Sequence, residues 1–215
     1  MTPIGEGPYN ALRRRAAAVQ PLLANQSTIV IDMKKLNGQL LVATPRLPDA
    51  NFYRTVVLMV EHNENGALGV ILNRPADSSL EELWREVSEV ECKRKQPLNI
   101  GGPVAGPLMA VHTDSRIAEL LIMPGLFLSA QKEHLDHLVQ EQQHRCRIFV
   151  GHSGWGGGQL EEELKLGSWL VTPATLEYVF HAEDDLWETV AKHIGDSVLL
   201  ESLRIKHVPV DPSLN

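Results

Sequence analysis

Cysteine is nearly missing from this chain: Cys92 and Cys146 are the only two in 215 residues. They stand far apart with no C-x-x-C, which argues against a disulfide framework and a thiolate metal site. Basic charge is also short. Twenty Lys and Arg face 27 Asp and Glu, a formal net charge of −7. That sign gives no general attraction to nucleic acid or to an anionic membrane. Long apolar runs are lacking too. Val56 to Val60 represents the longest, where a membrane span needs roughly 20 residues. Residues 1–26 contain no secretory apolar core. Repeats and low-complexity tracts are absent as well. These absences describe a reduced, cytoplasmic protein with no membrane partner and no strong nucleic-acid binding.

What is present is ordinary globular composition, 43% hydrophobic and 22% charged, in a length suited to one well-cored domain. Residues 1–35 read as an extension, partly helical over Ala11 to Ala18 with Arg13, Arg14 and Arg15 in the segment. Residues 36–195 read as the domain and 196–215 as a tail. Leu40 to Ala43, Thr55 to His62 and Leu68 to Asn73 are continuous apolar strands, so they are expected to be covered on both faces. The second and third pair as a hairpin around Asn63-Glu64-Asn65-Gly66.

Ser78-x-x-Glu81 matches a capping box. It opens a helix with Leu80, Leu83, Trp84 and Val87 on one face, which makes Trp84 a core residue. Strands follow at Leu98 to Ile100, Leu108 to His112 and Leu120 to Met123. A helix then runs from Ser129 to about Gln143, and Cys146 to Val150 is a further strand. A helix from Gln159 to Lys165 is capped by Gly167, a strand returns at Ser168 to Val171, and Asp184 opens a last helix that Gly195 ends. The expected fold is α+β: a mixed, mostly antiparallel sheet with inserted helices.

The densest signal is Gly151-His152-Ser153-Gly154-Trp155-Gly156-Gly157-Gly158, with five glycines in eight residues. After an apolar strand and before a helix it reads as a tight turn with outward backbone N–H groups, where an anion or carbonyl would sit. Known motifs fail on it. Trp155 occupies the second glycine of the G-x-S-x-G nucleophile elbow. Gly157-Gly158 stands where a phosphate loop needs Lys-Ser/Thr, and no full G-x-G-x-x-G begins here.

His134, His137 and His144 share a helix with Glu141. Leu135, Leu138 and Val139 occupy the other side, so the histidines are expected to face water, not a metal. The remaining polar set gathers around glycines. The ligand-binding candidates are Asn73, Arg74, Gly101, Gly102, His152, Ser153, Gly154, Trp155, Gly156, Gln159 and Glu161, with His112 nearby. The Gly101 to Val104 loop, the Asn73-Arg74-Pro75 corner and the Gly151 to Gln159 turn are expected to converge on one surface. Arg74 is then either a free anion-binding group or paired with Glu161.

Four segments carry a resemblance. They are Leu36 to Pro45, the hairpin with Glu61-His62, Gly66-Ala67-Leu68-Gly69 and Asn73-Arg74-Pro75, the loop Gly101-Gly102-Pro103-Val104, and Gly154-Trp155-Gly156 with Gly158-Gln159-Leu160-Glu161. In this order the sequence resembles the AlgH/YqgE family of bacterial proteins. The resemblance implies a mixed sheet partly curled into a small barrel and wrapped by helices. It implies no agreed reaction, although members often carry the label of transcriptional regulator; no cofactor or metal is expected. His152 and Ser153 depart from the tyrosine and alanine common there, and Gly157 from a frequent proline, which weakens any nucleophilic role for Ser153.

The expected function is a non-catalytic module binding a small molecule or protein in a glycine-lined cleft. A regulator is the second reading, and a hydrolase-like activity at Ser153 and His152 the third.

Overall fold

The computed structural model describes residues 35–181 and 185–202. The expected helix over Ala11 to Ala18 and the cap at Asp184 lie outside them. Ten strands form the framework: β1 (Gln39–Ala43), β2 (Val56–Asn63), β3 (Gly66–Ile71), β4 (Pro75–Ser79), β5 (Pro97–Ile100), β6 (Val104–His112), β7 (Leu120–Met123), β8 (Leu126–Ser129), β9 (Cys146–Gly156) and β10 (Trp169–Pro173). Five helices accompany them among the described residues: α1 (Leu80–Val87), α2 (Lys132–Gln140), α3 (Gln159–Lys165), α4 (Leu176–Val179) and α5 (Leu186–Ser202).

The strand order is β10-β1-β2-β3-β9-β6-β8-β7, with β5 beside β9 and β4 beside β5. Every pairing is antiparallel except β5 with β9. The protein is therefore α+β, with a curled, largely antiparallel half-barrel sheet and helices packed around it.

The continuous apolar strands are covered on both faces, as alternation demands. Leu40, Val42, Leu58 and Val70 point to one core with Phe149, Val179 and Val190. Leu41, Val57, Met59 and Ile71 point the other way, onto Phe52, Trp155, Leu160 and Trp169. A third core seats Trp84 of α1 and Leu135 and Leu138 of α2 against Ala110 and Ile148.

Several boundaries move. The capping box is Ser79 with Glu82, one residue later than expected, and both reciprocal hydrogen bonds are present. This register makes Leu80 the first helical residue and leaves Val87 exposed. The expected helix from Ser129 to about Gln143 is shorter at both ends: Ser129 pairs with β6 as the end of β8, and α2 runs only from Lys132 to Gln140, which leaves His144 beyond it. Gly195 does not end α5, which continues to Ser202. A single helical glycine costs only about 1 kcal/mol relative to alanine.

Candidate functional site

The glycine-rich stretch is a strand, not a turn. β9 continues to Gly156, pairing through Gly69↔Ser153 and Gly66↔Gly156 with β3 and through Val104↔His152 with β6. Only Gly157 and Gly158 turn, with Gly158 at φ 79° preceding α3. The glycines admit neighbouring backbone. A Cβ on Gly101 would lie 2.3 Å from the Gly151 carbonyl oxygen, and one on Gly102 would lie 2.4 Å from the His152 carbonyl. No side chain fits between such segments.

The signature residues are engaged in holding α3 to the sheet. Gln159 Oε1 accepts from the Gly156 N–H at 3.1 Å, and its amide donates to Glu163. Glu161 meets the buried His62 Nε2 at 2.9 Å. Trp155 stacks near Phe52 at 5.9 Å between ring centroids, and Trp169 meets the same ring edge-on.

The expected single cleft is corrected. Gly101, Gly102, His152 and Ser153 are brought together, but as a packed seam in which the Ser153 hydroxyl is buried. Gly154, Trp155, Gly156, Gln159 and Glu161 lie toward the Gly66 end of β3; Asn73 and Arg74 follow its opposite end, where the Arg74 carbonyl accepts the Ile100 N–H at 2.8 Å and sets that corner against the Gly101 loop. Asn73 is structural: its amide accepts from the Val56 N–H and donates to the Arg54 carbonyl. Arg74 donates to the Asn51 carbonyl at 2.6 Å and does not pair with Glu161. Ser153 and His152 point to opposite faces of β9, which removes the geometry for a serine–histidine pair.

A cavity of about 750 Å³ opens elsewhere. It lies where the Asn73-to-Pro75 corner and β5 face residues 142–147 and the side chains of Glu177, Phe180, His181 and Leu186. Of the sequence candidates, only Asn73 lines it. Its charged lining among the described residues is Arg94, Arg145 and Arg147 against Glu177, an excess of positive charge on an acidic protein.

Each arginine is held differently. Arg94 donates to the carbonyls of Leu138, Glu141 and His144, fixing the chain after α2. Arg147 donates to the Val179 carbonyl at 3.0 Å and also to the Leu72 carbonyl and Asn99 Oδ1. All three acceptors are neutral, and burial pulls its guanidinium down to about 10. Arg145 is exposed and lies 5.8 Å over the Phe180 ring. Its charge also contributes to holding the Glu177 carboxyl below its ordinary value, after the larger effect of local hydrogen bonds.

Cys146 also lines the cavity, but burial pushes its thiol up to about 12, so it stays protonated. These residues escaped the sequence reading because His144-Arg145-Cys146-Arg147 enters an apolar strand without motif spacing. The one available signal was the pair of arginines flanking that strand's start.

A further correction concerns the helix histidines. His137 and His144 do not simply face water. Their Nε2 atoms lie 3.6 and 3.8 Å from Oδ2 of Asp114, which is buried. His134 pairs with Glu119 at 2.8 Å. Hydrogen bonds from Arg116 are the main reason the Asp114 carboxyl sits far below the usual range.

The fold and sheet order define a half-barrel α+β protein of the AlgH type. Residues 40–199 match the AlgH-like family, DUF179, and the chain belongs to that family. A UPF0301 protein of Myxococcus xanthus is 40% identical over 168 residues, covering 76% of this chain and 93% of the relative. One from Chlorobium phaeobacteroides is 35% identical over 195 residues, covering 87% and 100%. The solution structure of the AlgH protein from Pseudomonas aeruginosa superposes with a TM-score of 0.66 at 27% identity, covering 86% of this chain and all of that one. The crystal structure of the protein DIP2367 from Corynebacterium diphtheriae gives 0.59 at 27% identity, covering 80% and 90%.

Proposed function

We propose that the protein is a non-catalytic binding module for a small anion, a carboxylate or phosphate compound, taken into the cavity of Arg94, Arg145 and Arg147. One observation carries the reading: a part-buried guanidinium, Arg147, that meets only neutral acceptors among the described residues. A charge taken from water is normally paired, and an arginine fork suits carboxylate or phosphate oxygens. Arg145, exposed at the mouth, adds attraction at the point of entry. The protonated thiol of Cys146 offers no nucleophile, which favours binding over reaction. Membranes and nucleic acids are not partners in this reading.

Thermal unfolding in inorganic phosphate, citrate or glycerol tests it. Phosphate strengthens burial in many proteins, so the informative quantity is the difference from an Arg145→Gln variant. The reading predicts that phosphate or citrate raises the Tm of the native protein beyond that of the variant, and that glycerol raises both alike. Equal anion shifts in the two proteins reject it.

A further inference from the structure

We infer that Asp114, His137, Glu141 and His144 form a binding site for one divalent transition-series cation of the zinc type, separate from the arginine-lined cavity's proposed role. Asp114 follows β6, with its carboxylate 1% exposed. His137 lies in the last turn of α2, Glu141 is the residue that caps it, and His144 follows three positions later. Positions i and i+4 share a helical face. Leu135, Leu138 and Val139 pack into the core with Ala110 of β6, so α2 is held beside the strand that leads to Asp114.

The spacing fits common ligation better than direct pairing. At 3.6 and 3.8 Å from Asp114 Oδ2, the two imidazole nitrogens are beyond hydrogen-bond length. Ligand atoms 2.0–2.2 Å from a tetrahedral zinc ion stand about 3.3–3.6 Å apart. One ligand atom each from Asp114, His137 and Glu141 already lies within 4.8 Å of the others, while His144 stands outside that trio, 3.8 Å from Asp114, and completes the set by a small rotation of its partly exposed ring. Two imidazoles and two carboxylates are the nitrogen and oxygen donors that such ions take, and they neutralise a dipositive charge.

Arg116 holds the place of the cation. Its guanidinium donates to Asp114 Oδ1 at 2.8 Å and Oδ2 at 2.6 Å, and reaches Glu141 Oε2 at 3.4 Å. Its side chain is 62% exposed, so it can swing into water when the ion enters. Arg116 is thus a tethered competitor for the two carboxylates, which separates a metal site from a plain ion-pair cluster.

The test uses the untagged full-length protein after chelator treatment, titrated with Zn²⁺ by calorimetry and with Co²⁺ by visible absorption. One equivalent of each ion is expected, with the visible absorption of four-coordinate Co²⁺. His137→Gln and His144→Gln should each weaken Zn²⁺ by at least about 100-fold, since even outer-shell changes cost about 10- to 100-fold. Both side chains are partly exposed, and circular dichroism verifies folding. Arg116→Ala should tighten binding, while His134→Gln should leave it unchanged. No stoichiometric binding, equal affinity in either glutamine variant, weaker binding in Arg116→Ala, or an equal loss in His134→Gln would overturn the site.

Discussion

The Ser153 hydroxyl donates to the Gly101 carbonyl oxygen at 3.1 Å, joining β9 to the end of β5 from a fully buried position. The same carbonyl already accepts the Ile71 N–H at 2.9 Å. Removing the hydroxyl therefore leaves no buried group unpaired. Ser153→Ala should cost no more than about 1 kcal/mol in urea unfolding, the net value of one neutral hydrogen bond. A loss far above that would assign Ser153 a role beyond this contact.

Gly101 is the opposite case. Its missing Cβ is what lets the chain pass 2.3 Å, measured from an ideal Cβ position, from the Gly151 carbonyl oxygen. Gly101→Ala must push β5 away from β9, an overpacking between two backbones with little room to relax. The expected loss is about 3 kcal/mol or more, read as a lower urea midpoint with a similar slope.

One carboxylate oxygen of Glu163 accepts both Trp155 Nε1 at 2.9 Å and Trp169 Nε1 at 2.7 Å. Both indoles are buried, so removing their shared acceptor strands two donors. Glu163→Ala should destabilise by about 2–4 kcal/mol and shift the tryptophan fluorescence. Glu163→Gln keeps an acceptor oxygen and should recover part of that loss.

His112 makes stability depend on acid. Ser129 Oγ donates to the Ile117 carbonyl at 2.6 Å and so accepts from His112 Nε2–H at 2.9 Å. The other ring nitrogen, Nδ1, is buried without a partner among the described residues. Burial lowers this imidazole from 6.5 to about 4. Between those values the unfolded chain binds more protons, so stability rises with pH through the window and is complete above it. Acidifying from pH 7.5 to 4 should remove up to about 3 kcal/mol from this group. His112→Gln should flatten that part of the pH profile in urea titrations.

Much of the fold was legible because its signals are local. The β2–β3 hairpin was carried by two apolar runs around a turn-forming tetrad, and α3 by Gln159 to Lys165 with Gly167 behind it. Trp84 was placed in the core by helical spacing alone. The two-sided burial of β1 to β3 followed from their unbroken apolar runs. What failed depends on distant partners. The glycines of β9 look like a turn locally, but β3 and β6 pair with that segment and make it a strand. Ser129 looks like a helix start until β6 claims it as the end of a strand. The cavity drew on Arg94, Arg145, Arg147 and Glu177 from separate segments, with no spacing to connect them. His137 and His144 keep the solvent exposure that the helix wheel assigned them, but the wheel has no knowledge of Asp114, which both approach.

The most direct measurement of the anion-binding account is a calorimetric titration of citrate and of phosphate into three proteins: native, Arg145→Glu and Glu177→Gln. Arg145 and Glu177 line the same cavity with opposite charge. The account predicts saturable one-to-one binding of at least one anion by the native protein, its loss in Arg145→Glu, and tighter binding in Glu177→Gln. Affinity unchanged by Arg145→Glu, or weakened by Glu177→Gln, would contradict it.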